Sequence, residues 1–277
     1  MDFYFEHVLL PKMRPVWRII SYPVLAFVIS LIVGMVWLFG EAAVYGGAVG
    51  VVAVRHQLLM VLVTFTLTVV VLWFMQRKEW AEANFWDTSV ISARTVIVCI
   101  LFGVVLSFFW GGFTHLSGLP LPFPAYSHLF EPLSGSNAVL QVLGIAIIPP
   151  IFNQVLYRGI VLRRLMETSS CFHRANIIHA LVVAVFRFDV MQGAYAFVLA
   201  LIFGLVYAKF KTIWAPIVVH VLFNLLPLIM FNVWDDFYAG MTETVVIAIT
   251  VVSAVLAGLF IFTMRKIDVA NDEKPLG

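Results

Sequence analysis

Apolar runs of about twenty residues recur along the whole chain, separated by short polar stretches. A helix needs roughly 20 mostly apolar residues to cross the hydrocarbon layer of a bilayer. Eight such runs are found, at 19–39, 56–76, 94–113, 138–157, 175–190, 193–209, 212–232 and 243–264. They predict an all-α fold: a polytopic membrane helix bundle of about eight transmembrane helices. The fourth run continues as a polar helix through Arg163 and Arg164. The fifth and sixth are short and separated by little more than Asp189 to Gly193, which predicts a tight helical hairpin inside the protein. No repeat, low-complexity tract or soluble domain is visible. The longest connector is the Gly- and Pro-rich stretch 111–137, and Asn271 to Gly277 reads as a polar tail.

Composition agrees with this pattern. Of 277 residues, 62% are hydrophobic and 12% charged, against roughly 25% charged in soluble domains. One water-soluble core could not hide so much apolar surface, whereas lipid-facing positions need no protein partner. The first run lacks a small-residue cleavage site and reads as a retained span. Cytoplasmic loops are enriched in Lys and Arg. With the N-terminus inside, the inner side receives Lys12, Arg14, Arg18, Arg77, Lys78, Arg94, Arg163, Arg164, Arg174, Lys209, Lys211, Arg265, Lys266 and Lys274; the outer side receives Arg55 and Arg187. This asymmetry predicts an even number of spans with both termini cytoplasmic. The net charge of +2 forms no basic stripe, so membrane lipid and no nucleic acid is expected as partner. Cys99 and Cys171 form no metal pattern and read as apolar filler; no metal or cofactor is expected.

Strongly polar groups at membrane depth cost about 2.5–3.5 kcal/mol each on insertion scales, so those in the second half call for a reason. In Asn153-Gln154-Val-Leu-Tyr157-Arg158-Gly159, Gln154 and Arg158 are four apart and share a helix face, as do Asn153 and Tyr157. Pro149 and Pro150 precede them and would loosen the helix and free carbonyls. Phe186-Arg187-Phe188-Asp189 closes the fifth run, with its charges two apart and so not facing each other. His220 and Asn224 share a face of the seventh. The first cluster reads either as hydrogen-bonded ties between helices or as part of a site, the second as an interfacial pair near water or as buried charges with partners, and the third as a satisfied structural histidine or as a metal ligand, base or donor. The remaining histidines carry no assigned role, with His179, at the start of the fifth run, as the exception.

Order and spacing over about 138–232 resemble the CAAX protease and bacteriocin-processing (CPBP) family, also called the Abi or Rce1-like intramembrane endopeptidases. The family carries Glu-Glu-x-x-x-Arg, usually continuing Phe-Arg-Gly, then Phe-x-x-x-His, then His-x-x-x-Asn. Here Tyr157-Arg158-Gly159 stands where Phe-Arg-Gly is expected. His220-Val-Leu-Phe-Asn224 matches the third motif, and Gly204-Leu-Val-Tyr207 and Thr212-Ile-Trp214-Ala-Pro216 resemble the family's lead-in to it. The resemblance divides the chain into 1–137, N-terminal helices and outer loop; 138–232, a CPBP-like core; and 233–277, the last helix and tail, all within one structural domain. By the same analogy a multi-pass cell membrane protein, of a prokaryotic plasma membrane, is expected.

The departures change the expected chemistry. Asn153 and Gln154 replace the two glutamates, and alignment of the second motif sets Val185 at its Phe and Asp189 at its His. The resemblance implies that glutamate takes a proton from water and returns it to the leaving amine. Asn and Gln keep the size and hydrogen-bonding ability but offer no charge and no usable proton acceptor. The motif positions Asn153, Gln154, Arg158, Asp189, His220 and Asn224 are thus the candidate site of a proteolytically impaired relative. Such a protein would bind a membrane segment, lipidated peptide or partner protein without cutting it. One alternative is an active endopeptidase with Asp189 as base and His220 and Asn224 holding the water or oxyanion. Another is a transporter or membrane scaffold, weakened by the lack of an inverted repeat.

Overall fold

A computed structural model describes residues 10–45, 49–82, 91–117, 138–169 and 171–265. Most of the connector 111–137, the side chains of Arg55 and His56, and the tail Asn271–Gly277 fall outside the described residues. The described residues form eight helical elements and no strand: α1 (Leu10–Tyr45), α2 (Val49–Glu82), α3 (Ala93–Ser117), α4 (138–168), α5 (Phe172–Val185), α6 (Val190–Phe210), α7 (Trp214–Ala239) and α8 (Glu243–Arg265). Among the described residues, six are long and apolar enough to cross a membrane, so the protein is a polytopic helical bundle.

One run differs from expectation in length. The fifth ends at Val185, and its 14 residues reach only about 21 Å, short of a roughly 30 Å hydrocarbon layer. The reason lies in the turn that follows. Phe188 adopts φ 55°, and the Asp189 carboxylate accepts from the Gln192 amide at 2.7 Å, starting α6 at Val190. The polar residues expected at the end of a span are thus a turn and a helix cap. α7 runs as one helix from Trp214 to Ala239 with Pro227 inside it, covering the seventh run. The expected hairpin is present, with α5 packed along a full-length α6.

Two clusters of buried side chains hold the bundle. One surrounds the second half of α4, where Leu156, Ile160, Val161 and Leu162 pack with Tyr22, Leu72, Ala180, Val183, Tyr207 and Ile213. The other joins α3, α6, α7 and α8 through Phe102, Leu106, Phe203, Val206, Val219, Phe223 and Ala257. Gly103 lets α3 and α7 approach: a Cβ there would stand 2.8 Å from the Leu222 Cβ and 2.9 Å from the Val219 carbonyl. Small residues at such crossings replace the hydrophobic drive that helices lack in lipid. Outward faces, such as Leu31, Ile32, Met35, Val36 and Phe39 of α1, are apolar and exposed, as lipid contact requires.

Candidate functional site

The site is built on irregularities of α4. Pro149 and Pro150 are the second and third residues of its segment Ile148–Gln154 and donate no backbone N–H. The stretch before them, Val142–Ile147, widens into π geometry. The Ile145 carbonyl lies four residues before Pro149 and loses its usual donor. Asn224 of α7 supplies one, its Nδ2 donating at 3.1 Å. The freed carbonyl is thereby used as a tie between α4 and α7.

A second π segment, Val155–Leu162, carries Tyr157, Arg158 and Gly159, all buried. Widened turns of this kind recur at functional sites. Gln154 is fully buried, and its Nε2 lies 2.9 Å from Nδ1 of His220. The His220 ring stacks on Phe203 at 4.7 Å between centroids. The Arg158 guanidinium sits over the same Phe203 ring at 5.3 Å and donates to the Ala200 carbonyl at 3.2 Å. Gln154, Arg158, His220 and Phe203 therefore form one constellation drawn from α4, α6 and α7.

Beside it lies a cavity of about 210 Å³ whose walls include Asn153, Tyr157, Arg158, Arg187, Tyr195, His220 and Asn224. Gln154 is behind the wall, anchoring His220 rather than facing the space. Asp189 is not among the lining residues; it is exposed and caps α6. Val185 points outward at 67% exposure. On α5 and its turn, the four-residue pair that lines the cavity is Val183 and Arg187, two positions earlier than the pair expected from sequence. With both Phe and His of the second motif replaced, nothing in the sequence marked that register.

The Gln154 amide sets the state of His220. With Nε2–H directed at the ring, Nδ1 accepts, and the ring proton resides on Nε2. A carboxylate at the same position would accept from Nδ1–H and leave Nε2 free as a base. Among the described residues lining the cavity there is no carboxylate, and no group of three His, Cys, Asp or Glu side chains is placed to hold a metal ion. The constellation can hold and orient polar groups, but it has no proton acceptor of the carboxylate kind.

His179, left open by the sequence, is fully buried on α5 with its ring 6.4 Å from that of Tyr157. Neither ring nitrogen makes a hydrogen bond of normal geometry, and the Asn176 backbone is only a loose partner. One turn earlier, Asn176 donates to the Leu201 carbonyl at 3.0 Å. Its Oδ1 fills the space above Gly204, where a Cβ would collide with it.

Residues 135–226 match the family model described as type II CAAX prenyl endopeptidase Rce1-like, a stretch that contains all six motif positions named above. No curated protein and no solved structure matches the chain. The chain is therefore a polytopic helical membrane protein that carries a domain recognised as Rce1-like, of the CAAX prenyl endopeptidase (CPBP) family, over residues 135–226.

Proposed function

We propose that this protein is a proteolytically impaired member of that family, which binds a membrane segment, lipidated peptide or partner protein without cutting it. One observation carries the reading: the residue paired with His220 is an amide, at 2.9 Å, in a cavity whose described walls contain no carboxylate. General acid–base transfer is worth about 10²- to 10⁴-fold in rate. An amide beside a catalytic histidine also selects the wrong ring tautomer, which in a serine protease costs about 10⁴-fold. Retention of the polar constellation without its acids is what a binding role requires. The charge asymmetry of the loops supports a cell-membrane location with both termini cytoplasmic. An active enzyme using Asp189 would have to give up the cap on Gln192 and carry the carboxylate into the cavity.

The test is binding and hydrolysis of a prenylated reporter peptide by the full chain in lipid vesicles. The expected result is saturable binding without cleavage, with cleavage appearing in the Asn153→Glu, Gln154→Glu, Arg187→His variant. Cleavage by the unaltered protein that disappears in His220→Ala would refute impairment. Absence of peptide binding would refute the binding role.

A further inference from the structure

Arg158 is a charge without a counter-charge. It is 2% exposed, donates to one carbonyl, rests on one aromatic face, and leaves its Nε without a partner. Among the described residues no ion pair joins it to a carboxylate. Guanidinium stays protonated in proteins, and desolvating an ion costs several kcal/mol unless it is paired. A carbonyl and an aromatic ring compensate only part of that. The cavity wall then adds a second guanidinium, Arg187, and still no acid. Arg187's neighbour in sequence, Asp189, spends its carboxylate on the cap of α6. Asn153, Gln192 and Tyr195 bring further polar groups to the same space. The wall thus carries two guanidinium charges, one buried on α4 and one on the exposed α5–α6 turn, with neutral hydrogen-bonding groups and a volume of about 210 Å³, suited to a small oxyanion rather than to a folded chain.

The mouth indicates what carries the oxyanion. Around Arg187 the α5–α6 turn exposes Val185 at 67%, Phe188 at 64% and Val190 at 87%. Apolar side chains exposed on both sides of a guanidinium fit a ligand with a charged head and hydrocarbon tails, arriving from the bilayer. We propose that the cavity between α4, α5, α6 and α7 is an oxyanion site that holds the phosphate of an anionic phospholipid headgroup between Arg158 and Arg187. Phosphate oxygens would take the unused Nε–H of Arg158 and the fork of Arg187, while the acyl chains lie along Val185, Phe188 and Val190. Lipid and peptide would share this cavity, but lipid preference and peptide binding are read separately, so the failure of one reading is distinguishable from the failure of the other.

The experiment is native mass spectrometry of the full chain titrated with phosphatidylglycerol or phosphatidylcholine, with inorganic phosphate as competitor. Phosphatidylglycerol should be retained in preference to phosphatidylcholine. The preference should fall about tenfold or more in Arg187→Gln, the loss of one charge-assisted contact, and be partly kept in Arg187→Lys. Arg77→Gln, which removes an exposed cation over Phe74 on α2, should change nothing. Arg158→Gln should abolish the preference; if that variant does not fold, Arg187→Gln remains decisive. Displacement of the lipid by millimolar phosphate would show that the head alone is recognised, and lack of displacement that the tails contribute; both support the site. Equal retention of the two lipids overturns the proposal, as does a preference insensitive to Arg187→Gln. Binding of free phosphate without lipid preference overturns the lipid source. Displacement of the lipid by a peptide with a free C-terminal carboxylate, and not by its amide, assigns the site to peptide and also overturns it.

Discussion

Gln154 and His220 form the contact on which the chemistry of the site turns, and its worth can be worked from the structure. The bond is 2.9 Å, between neutral groups, with Gln154 fully buried. Such a bond contributes about 1 kcal/mol net, and side-chain bonds between membrane helices average about 0.6 with a maximum near 1.7. The single variants should be unequal. His220→Phe keeps the stack on Phe203 but strands the Gln154 amide, whose Oε1 already lacks a partner, at a cost of about 1–3 kcal/mol. Gln154→Leu strands Nδ1 of His220 but also removes that orphaned oxygen, so it should cost less. The double variant should be more stable than the summed singles by about 1 kcal/mol. Reversible unfolding in lipid bicelles measures all four corners of the cycle. Singles that add to within about 0.3 kcal/mol, or a Gln154→Leu variant less stable than His220→Phe, would refute the reasoning. Nitrogen NMR of the His220 ring supplies a second readout. The proton should sit on Nε2 in the natural sequence and move to Nδ1 in Gln154→Glu.

Three further outcomes follow from the same geometry. Asn224→Ala should cost about 0.6–1.7 kcal/mol, and less in a Pro149→Ala background, because the restored amide can serve the Ile145 carbonyl; equal costs in the two backgrounds would contradict the tie. Gly204→Ala should destabilise by about 1–3 kcal/mol through collision with Asn176, with Asn176→Ala relieving most of it; the paired unfolding curves test this. Asp189→Ala should lose about 1 kcal/mol of cap energy without altering ligand retention, and a selective loss of binding at unchanged stability would place Asp189 in the site after all.

Helix content and membrane residence were legible in the chain because they depend on local quantities. Runs of about twenty apolar residues and sparse charge leave no other low-energy state for the backbone in lipid. The clustering of polar residues in the second half was equally visible, since each such residue carries its own insertion cost wherever the fold puts it. The π widening of α4 was foreshadowed by Pro149 and Pro150, and the donor missing from Pro149 was answered by a residue the sequence had already singled out, Asn224. What tertiary structure decided was partnership and register. Gln154 and Arg158, four apart, do meet in one constellation, but that Gln154 bonds His220 and Arg158 lies over Phe203 was decided by which helices pack against α4. On α5, Val183 and Arg187 rather than Val185 and Asp189 meet that space, because the chain turns at Phe186 and spends Asp189 on starting α6. Hydrophobic pattern counts residues along a helix axis, whereas a site is set by rotation about that axis, which only packing against neighbouring helices determines.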